Sequence, residues 1–431
     1  MNIKNFFQHN LSGVFSELDP RRDIYNRIFI YLLLVSFILR ILWLDRPIDA
    51  LIFDEKHYVN AVRVILGLPH DPDRFVDAPA GMDPNSEHPP LAKGIIALSI
   101  LVFGNNGFGF RIPSVIFGTI SILIFYLLVK RLSGNPKLAL IASFLYSFDS
   151  LVFVQSRIAM LDIFMLTFMI LGFYWWISDR IFLGATALAL STLCKFSAMF
   201  GVVVVIAYLF LKRNGGGEYD LKGRLKKMER FTIFYLIVFF LLFAIIDYLY
   251  GPYKNPFTHL EFILKFTSKI TRTSFEGIMS YPWQWLINEV QIPYLVTSGK
   301  VTVKGEYLRT VTLIDFKGVM NPAILFLTIP AILYVGYSYY RKRDNFTLFT
   351  LLWFALTYLP YYPMVFLGNR VMYIFYFLST IPAVCLAIAY GLLELRNVNV
   401  KIVRFHNILI VIYLMLVLVG FYIYFPFKTI P

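Results

Sequence analysis

Apolar stretches of about the 20 residues needed to cross a ~30 Å hydrocarbon core recur along this chain from Tyr25 to Phe425, separated by short polar clusters. They predict membrane spans at 25–44, 112–130, 137–154, 162–178, 181–194, 197–212, 231–250, 321–340, 345–362, 371–393 and 406–425, about eleven in all. One apolar piece fits the pattern poorly. Residues 91–104 follow a double proline, run for only about 14 residues and end in Gly104-Asn105-Asn106-Gly107, which suits an interfacial or re-entrant helix better than a span.

Composition agrees with the pattern: 58% of the 431 residues are hydrophobic, 18% aromatic and only 15% charged, far from a soluble average. The expectation is an all-α polytopic membrane protein forming a single integral domain over 1–431. Net charge is +14, but the cations sit in short clusters between apolar runs, as the positive-inside rule would place them, and no nucleic-acid partner is expected. Cys194 and Cys385 lie in or beside apolar segments and provide neither a disulfide framework nor metal-ligand spacing. The first 24 residues are polar. The run after them is too long for a cleaved signal and lacks a small-residue cleavage site, so it reads as a retained anchor.

Loop charge orients the chain. If 91–104 does not cross, then Arg21-Arg22, Lys130-Arg131 with Lys137, the 212–230 loop, Arg341-Lys342-Arg343, and Arg396 with Lys401 and Arg404 all share one side. This predicts a cytoplasmic N-terminus, a C-terminus on the outer side and a flexible basic loop at 212–230, with Asn214-Gly215-Gly216-Gly217, near anionic headgroups. The outer side then receives the 45–111 loop with its short interfacial helices, the 155–162 link, Lys195, the 251–320 loop and the 363–370 link. No internal repeat of fixed period is visible, which disfavours the inverted-repeat transporters.

All the candidate chemistry falls on that outer side. Asp54 and Glu55 are adjacent, so they point in different directions and only one readily faces a substrate. Solvated loop acids are the plain alternative. Against it stands the company they keep in an unusually long loop: His57, His88, Lys93, Asp71, Asp73, Asp77, Asp83 and Glu87. No His/Asp/Glu spacing stands out as a metal site; a divalent ion is possible but not indicated, and no cofactor is expected.

Arg157 is either an ion-pair partner of Asp149 or Asp162 or an anion ligand. Lys195, with no acidic sequence neighbour, is an anion ligand or snorkels to the interface. Arg370 stands among Tyr361, Tyr362, Tyr373 and Tyr376 where positive charge is unexpected, as an anion ligand or part of an aromatic belt. Trp283 and Trp285 form an interfacial anchor or a stacking platform for sugar or peptide. Gly107, Gly109 and Arg111 have a superficial likeness to a phosphate loop, but the strand–turn–helix context such a loop needs is missing.

Arg157, Lys195 and Arg370, on different spans but one side, could converge on a single anion, most naturally a lipid-linked phosphate. If that phosphate carries a sugar, one carboxylate suffices as base, because phosphate is a good leaving group stabilised by the cations. Glycoside hydrolysis differs in needing a general acid as well.

These residues resemble a family. Phe53-Asp54-Glu55-Lys56-His57-Tyr58 and His88-Pro89-Pro90-Leu91-Ala92-Lys93 resemble the acid-pair and His-Pro-Pro-Leu-Gly-Lys signatures of the protein O-mannosyltransferases, glycosyltransferase family 39 of the GT-C superfamily. Gln155 to Asp162, Cys194 to Ser197, Ser280 to Trp285 and Arg370 to Pro382 are similar to its later motifs, in the same order. The resemblance implies a GT-C architecture of about eleven spans and inverting transfer of mannose from a polyprenyl (dolichyl) phosphate to Ser or Thr hydroxyls of proteins on the outer face. It implies Asp54 as base, Glu55 and His57 shaping the site, and Arg157, Lys195 and Arg370 holding the donor phosphate, with His88, Asp162, Trp283 and Trp285 in the substrate site. Ala92 stands where the family has Gly, and the 251–320 loop is too short for a β-trefoil module, so the chain looks like a prokaryotic form. The alternatives are a GT-C transferase acting on a lipid or glycan acceptor, and a transporter or scaffold without chemistry.

Overall fold

The computed structural model describes residues 17–21, 23–48, 50–212, 221–272, 277–303, 306–395 and 400–429. Arg22, the 213–220 part of the basic loop with Asn214 to Gly217, Arg396, and the side chains of Lys401 and Arg404 fall outside that description.

Every apolar stretch contains a helix. In chain order these are α1 (Ile24–Ile41), α2 (Glu55–Ile65), α3 (Leu91–Phe103), α4 (Gly107–Ser133), α5 (Pro136–Phe148), α6 (Ser150–Gln155), α7 (Asp162–Ile177), α8 (Ile181–Cys194), α9 (Met199–Leu211) and α10 (Leu221–Tyr250). After α11 (Pro256–Lys269) and α12 (Pro282–Trp285) comes a hairpin, β1 (Ile292–Val303) and β2 (Glu306–Gly318). The chain closes with α13 (Pro322–Lys342), α14 (Asn345–Tyr358), α15 (Tyr361–Gly368), α16 (Ile381–Glu394) and α17 (Val400–Ile423). Among the described residues, six helical stretches are long and apolar enough to cross a membrane by length and composition: Ile24–Ile41, Gly107–Ser133, Leu221–Tyr250, Pro322–Lys342, Asn345–Gly368 and Phe405–Ile423. The protein is a multi-pass membrane protein.

Burial separates the helices into an inner and an outer set. The apolar window of α4 is 72% buried, whereas that of α1 and of α10 is 22% buried, which leaves most of their surface to lipid. Helices α4, α5, α7, α8 and α16 form the centre. Gly172 on α7 and Gly184 on α8 let those two helices approach closely, since a Cβ on either would press on the other's carbonyl oxygen.

Helix α3 has 13 residues, about 20 Å at 1.5 Å per residue, and so falls short of the ~30 Å core. It packs against α2 and α4 and leaves Leu98, Leu101, Val102 and Phe103 exposed at its tip.

Two features were not anticipated. The predicted span at 137–154 breaks at Asp149. Its carboxylate caps α6 by accepting from the Leu151 and Val152 amides, 3.1 Å each, and takes the Asn321 amide at 3.0 Å. The 251–320 segment carries the antiparallel β1–β2 ladder, which runs from Ile292 opposite Gly318 to Val303 opposite Glu306 with register shifts at Pro293/Leu295, Thr297/Ser298 and Val301/Thr302.

Candidate active site

The loop between α1 and α2 turns sharply at Phe53, whose φ of 53° is uncommon for so bulky a residue. Its ring is held by stacking on Tyr294 of β1 at 4.4 Å and by an edge contact with Phe375 at 5.9 Å. Beyond this turn the two adjacent acids diverge.

Glu55 is completely buried. Arg111 of α4 donates to both its oxygens, Nε at 2.9 Å and Nη2 at 2.8 Å, while the Ile52 and Ala159 amides donate at 2.7 and 2.8 Å. Arg111 also donates to the carbonyls of Leu44, Arg46 and Ala50. The pair clasps the 44–55 loop, the start of α4 and the 155–162 link. With its lone pairs occupied, Glu55 has none to offer a substrate, contrary to the role the sequence suggested.

Asp54 is the opposite case. It caps α2 by position, yet its side chain makes no capping bond, and among the described residues no donor reaches it. Partial burial pushes its carboxyl up to about 6; Lys195 pulls the other way, Asp162 adds to the rise and Arg74 opposes it. That value suits a general base working near neutral pH.

Facing Asp54 is a buried ion pair. Lys195, in the extended break after α8, donates Nζ to both oxygens of Asp162 at 2.8 and 2.9 Å, and lies over the rings of Phe375 and Tyr376 at 5.0 and 5.4 Å. Lys195 therefore has the acidic partner that its sequence neighbours lack. Asp162 begins α7, so the pair ties the start of that central helix to the end of α8.

His88 packs edge-on against Tyr58 at 5.8 Å. Burial, with Lys195, Lys93 and Arg370 nearby, holds its ring well below the usual range, so it is neutral. Lys93 organises that loop from below, pairing with Asp83 at 2.5 Å and donating to the His88 carbonyl at 3.2 Å and to the Asn85 carbonyl. His57 has Arg74 Nη1 at 3.2 Å from its Nδ1; burial, then Arg74 and Lys56, lower its affinity for a proton.

Arg370 donates Nη1 to the Thr267 carbonyl, and its backbone pairs with Thr271 in a β-bridge. The same latch brings in Arg272, which the sequence reading missed. Its guanidinium lies 4.0 Å over the Tyr281 ring, the residue is nine-tenths buried, and Nε and Nη2 have no hydrogen-bond acceptor among the described residues. A buried guanidinium without an acceptor is costly unless an anion completes it. The only signal in the sequence was another cation in a loop assigned to the outer side.

Three expectations are corrected by this geometry. Arg157 pairs with neither Asp149 nor Asp162 and does not join Lys195. Its guanidinium donates to the Leu39 and Leu42 carbonyls at the end of α1 and is sandwiched by Phe153 and Phe427 at 5.4 and 5.0 Å. Trp285 is fully buried, donating Nε1 to Ser280 Oγ at 2.9 Å inside an aromatic ring of Tyr358, Tyr361, Tyr376 and Phe377. Glu55 is a clasp, not a substrate group. Trp283 stays partly exposed and stacks on Tyr281 at 4.5 Å and Phe366 at 5.8 Å. Among the described residues no three His, Cys, Asp or Glu side chains come together in metal-ligating range.

Sequence and fold comparisons point the same way. Residues 87–220 match the family described as dolichyl-phosphate-mannose-protein mannosyltransferase. The chain is 27% identical to the polyprenol-phosphate-mannose–protein mannosyltransferase of Corynebacterium glutamicum, over 79% of this chain and 77% of that protein. Its fold is similar to that of the S. cerevisiae protein O-mannosyltransferase Pmt1-Pmt2 complex bound to the sugar donor, with a TM-score of 0.70 at 13% identity, covering 95% of this chain and 91% of that one. ArnT from Cupriavidus metallidurans bound to undecaprenyl phosphate matches with a TM-score of 0.55 at 15% identity, over 92% of this chain and 75% of that one. The chain is a membrane glycosyltransferase on the GT-C fold, a relative of the polyprenol-phosphate-mannose–protein mannosyltransferases.

Proposed function

We propose that this protein transfers mannose, with inversion, from a polyprenyl (dolichyl) phosphate to Ser or Thr hydroxyls of polypeptides on the outer face of the membrane. The observation that carries the reading is Asp54: a carboxyl pushed up to about 6, with no hydrogen-bond donor reaching it among the described residues, facing a buried Lys195–Asp162 pair. Asp54 accepts the proton of the acceptor hydroxyl as its oxygen bonds to the anomeric carbon. The bond from that carbon to the phosphate oxygen breaks, and the electron pair leaves with the phosphate.

Lys195, Arg370 and Arg272 are the cations that receive the developing phosphate charge; Arg157 is not among them. Arg272 is the best placed to gain a ligand, since two of its nitrogens lack acceptors. Each positioned donor of this kind is worth roughly 10²–10³ in rate. His88 and Tyr58 wall the sugar site, and the exposed face of Trp283 borders it.

Loop charge supports the orientation. The Arg111–Glu55 clasp lies at the start of α4, while Lys130 and Arg131 lie at its far end, where Lys130 donates to the Glu17 carbonyl at 2.7 Å and Arg131 pairs with Glu17 at 3.1 Å. The site end is outer and the basic end cytoplasmic.

Membranes carrying the full chain, given labelled polyprenyl-phosphate mannose and a Ser/Thr peptide, test this reading. Label is expected in the peptide. Label confined to the lipid fraction would replace the protein acceptor with a lipid or glycan, and no donor turnover at all would refute the enzyme reading.

A further inference from the structure

A polar cleft of about 640 Å³ opens between α2 and the 69–74 segment, lined by Lys56, Arg63, Asp71, Asp73, Arg74 and Asn105. Arg74 ties this cleft to the site: it lines the cleft, its Nη1 lies 3.2 Å from His57 Nδ1, and the Asp54 carboxyl feels its charge. The lining is polarised along α2. At the end beside Asp54 stand Lys56, which is exposed and whose ammonium has no hydrogen bond or ion pair among the described residues, and Arg74, whose guanidinium is hydrogen-bonded only to His57.

About two helical turns further along, the charges compensate. Arg63 donates to Asn105 Oδ1 at 3.0 Å and to Asn60 Oδ1 at 3.3 Å, and feels the Asp71 carboxylate; the Asp71 amide joins the same Asn60 oxygen at 3.1 Å. The Asp73 amide in turn donates to Asp71 Oδ1 at 3.0 Å. From Asp54 to Arg63 α2 rises about 13 Å, the length of roughly four residues of extended chain.

Inverting displacement needs the acceptor oxygen to arrive on the face of the sugar opposite the leaving phosphate. The Asp54 carboxyl feels Lys195, one of the phosphate cations, and Arg74, which lines the cleft; with the donor on the Lys195 side, the Arg74 side is left for the acceptor. We infer that this cleft is the acceptor subsite, that it takes an extended polypeptide, and that Lys56 and Arg74 make it favour an acidic side chain next to the acceptor Ser or Thr. The inference rests on the protein-acceptor reading above and adds to it a sequence preference written in Lys56.

The test uses full-length protein in membranes and three peptides identical except for the residues flanking one Ser: Asp, Ala or Lys. The quantity read is the ratio of kcat/KM for the Asp peptide to that for the Lys peptide, which does not depend on how much active protein each preparation holds. The wild type is expected to favour the Asp peptide about two- to five-fold, the range of a solvent-exposed charge pair. Lys56→Glu is expected to bring the ratio below one and Lys56→Gln to bring it close to one. High salt should flatten the wild-type preference.

A wild-type ratio of one, or a ratio unchanged in Lys56→Glu, overturns the acceptor preference while peptide transfer stands. Label appearing in lipid with none in any peptide removes the protein-acceptor reading, and this inference with it.

Discussion

Asp54 and Glu55 share a charge, a peptide bond and a loop, yet the fold treats them as opposites. Glu55 is enclosed and accepts four hydrogen bonds, two of them from a guanidinium. Asp54 is left without a donor among the described residues, in a half-buried setting that raises its proton affinity. What separates them is one backbone turn at Phe53 and the identity of what each then meets: Arg111 for one, the field of the Lys195–Asp162 pair for the other. The lesson is that chemistry belongs to the carboxylate the protein leaves unsatisfied, while the satisfied one holds the pocket in shape.

The largest test of that contrast is Asp54→Asn. Transfer to peptide should fall by about 10²–10⁴, the usual worth of a general base, with donor binding retained. Because burial raises the folded carboxyl to about 6, the folded state favours the neutral form. The stability this group contributes is full below its ordinary range near 4 and is lost as pH rises through about 6. Asp54→Asn should therefore unfold no more easily than wild type at neutral pH, which a thermal melt in detergent checks.

Glu55→Gln should reverse that profile. Removing one partner of a buried ion pair strands Arg111, at a cost of about 3–5 kcal/mol, so the melt should drop sharply. Glu55→Gln combined with Arg111→Leu should recover part of the loss. A melt unchanged in the single variant would mean the clasp carries no stability.

Arg272→Leu should weaken donor binding by about 10²-fold, by the worth of one positioned donor, while leaving the melt nearly unmoved, since it removes a guanidinium with unmet bonds. Arg157→Leu should do the reverse, because Arg157 spends its bonds on the end of α1. Titrating donor binding in both variants separates the two arginines.

The smallest expected effect is on pH dependence. Wild-type rate should decline as pH falls through about 6, as Asp54 takes up a proton. Lys195→Met removes the charge that holds the Asp54 carboxyl down, so the acid limb should move to higher pH. A limb that stays in place would mean that another group sets it.

Much of the bundle was legible because lipid imposes a simple rule: an apolar run of sufficient length becomes a helix. The break at Asp149 was not, since it depends on Asn321, distant in sequence, taking up the carboxylate that interrupts the helix. The hairpin at 292–318 was legible in principle, because Val and Thr recur along both strands.

At the site, the motif residues came from sequence and their division of labour did not. The order of the spans, the excess of cations between them and the one loop crowded with acids and histidines follow from the chain itself, because each is a property of local composition. Whether Arg157 or Arg272 faces the pocket, whether Lys195 is paired and which of two adjacent acids is left free are matters of long-range partners. Those partners, Arg111, Asp162 and the Leu39 and Leu42 carbonyls, are brought within hydrogen-bond reach only when the helices pack.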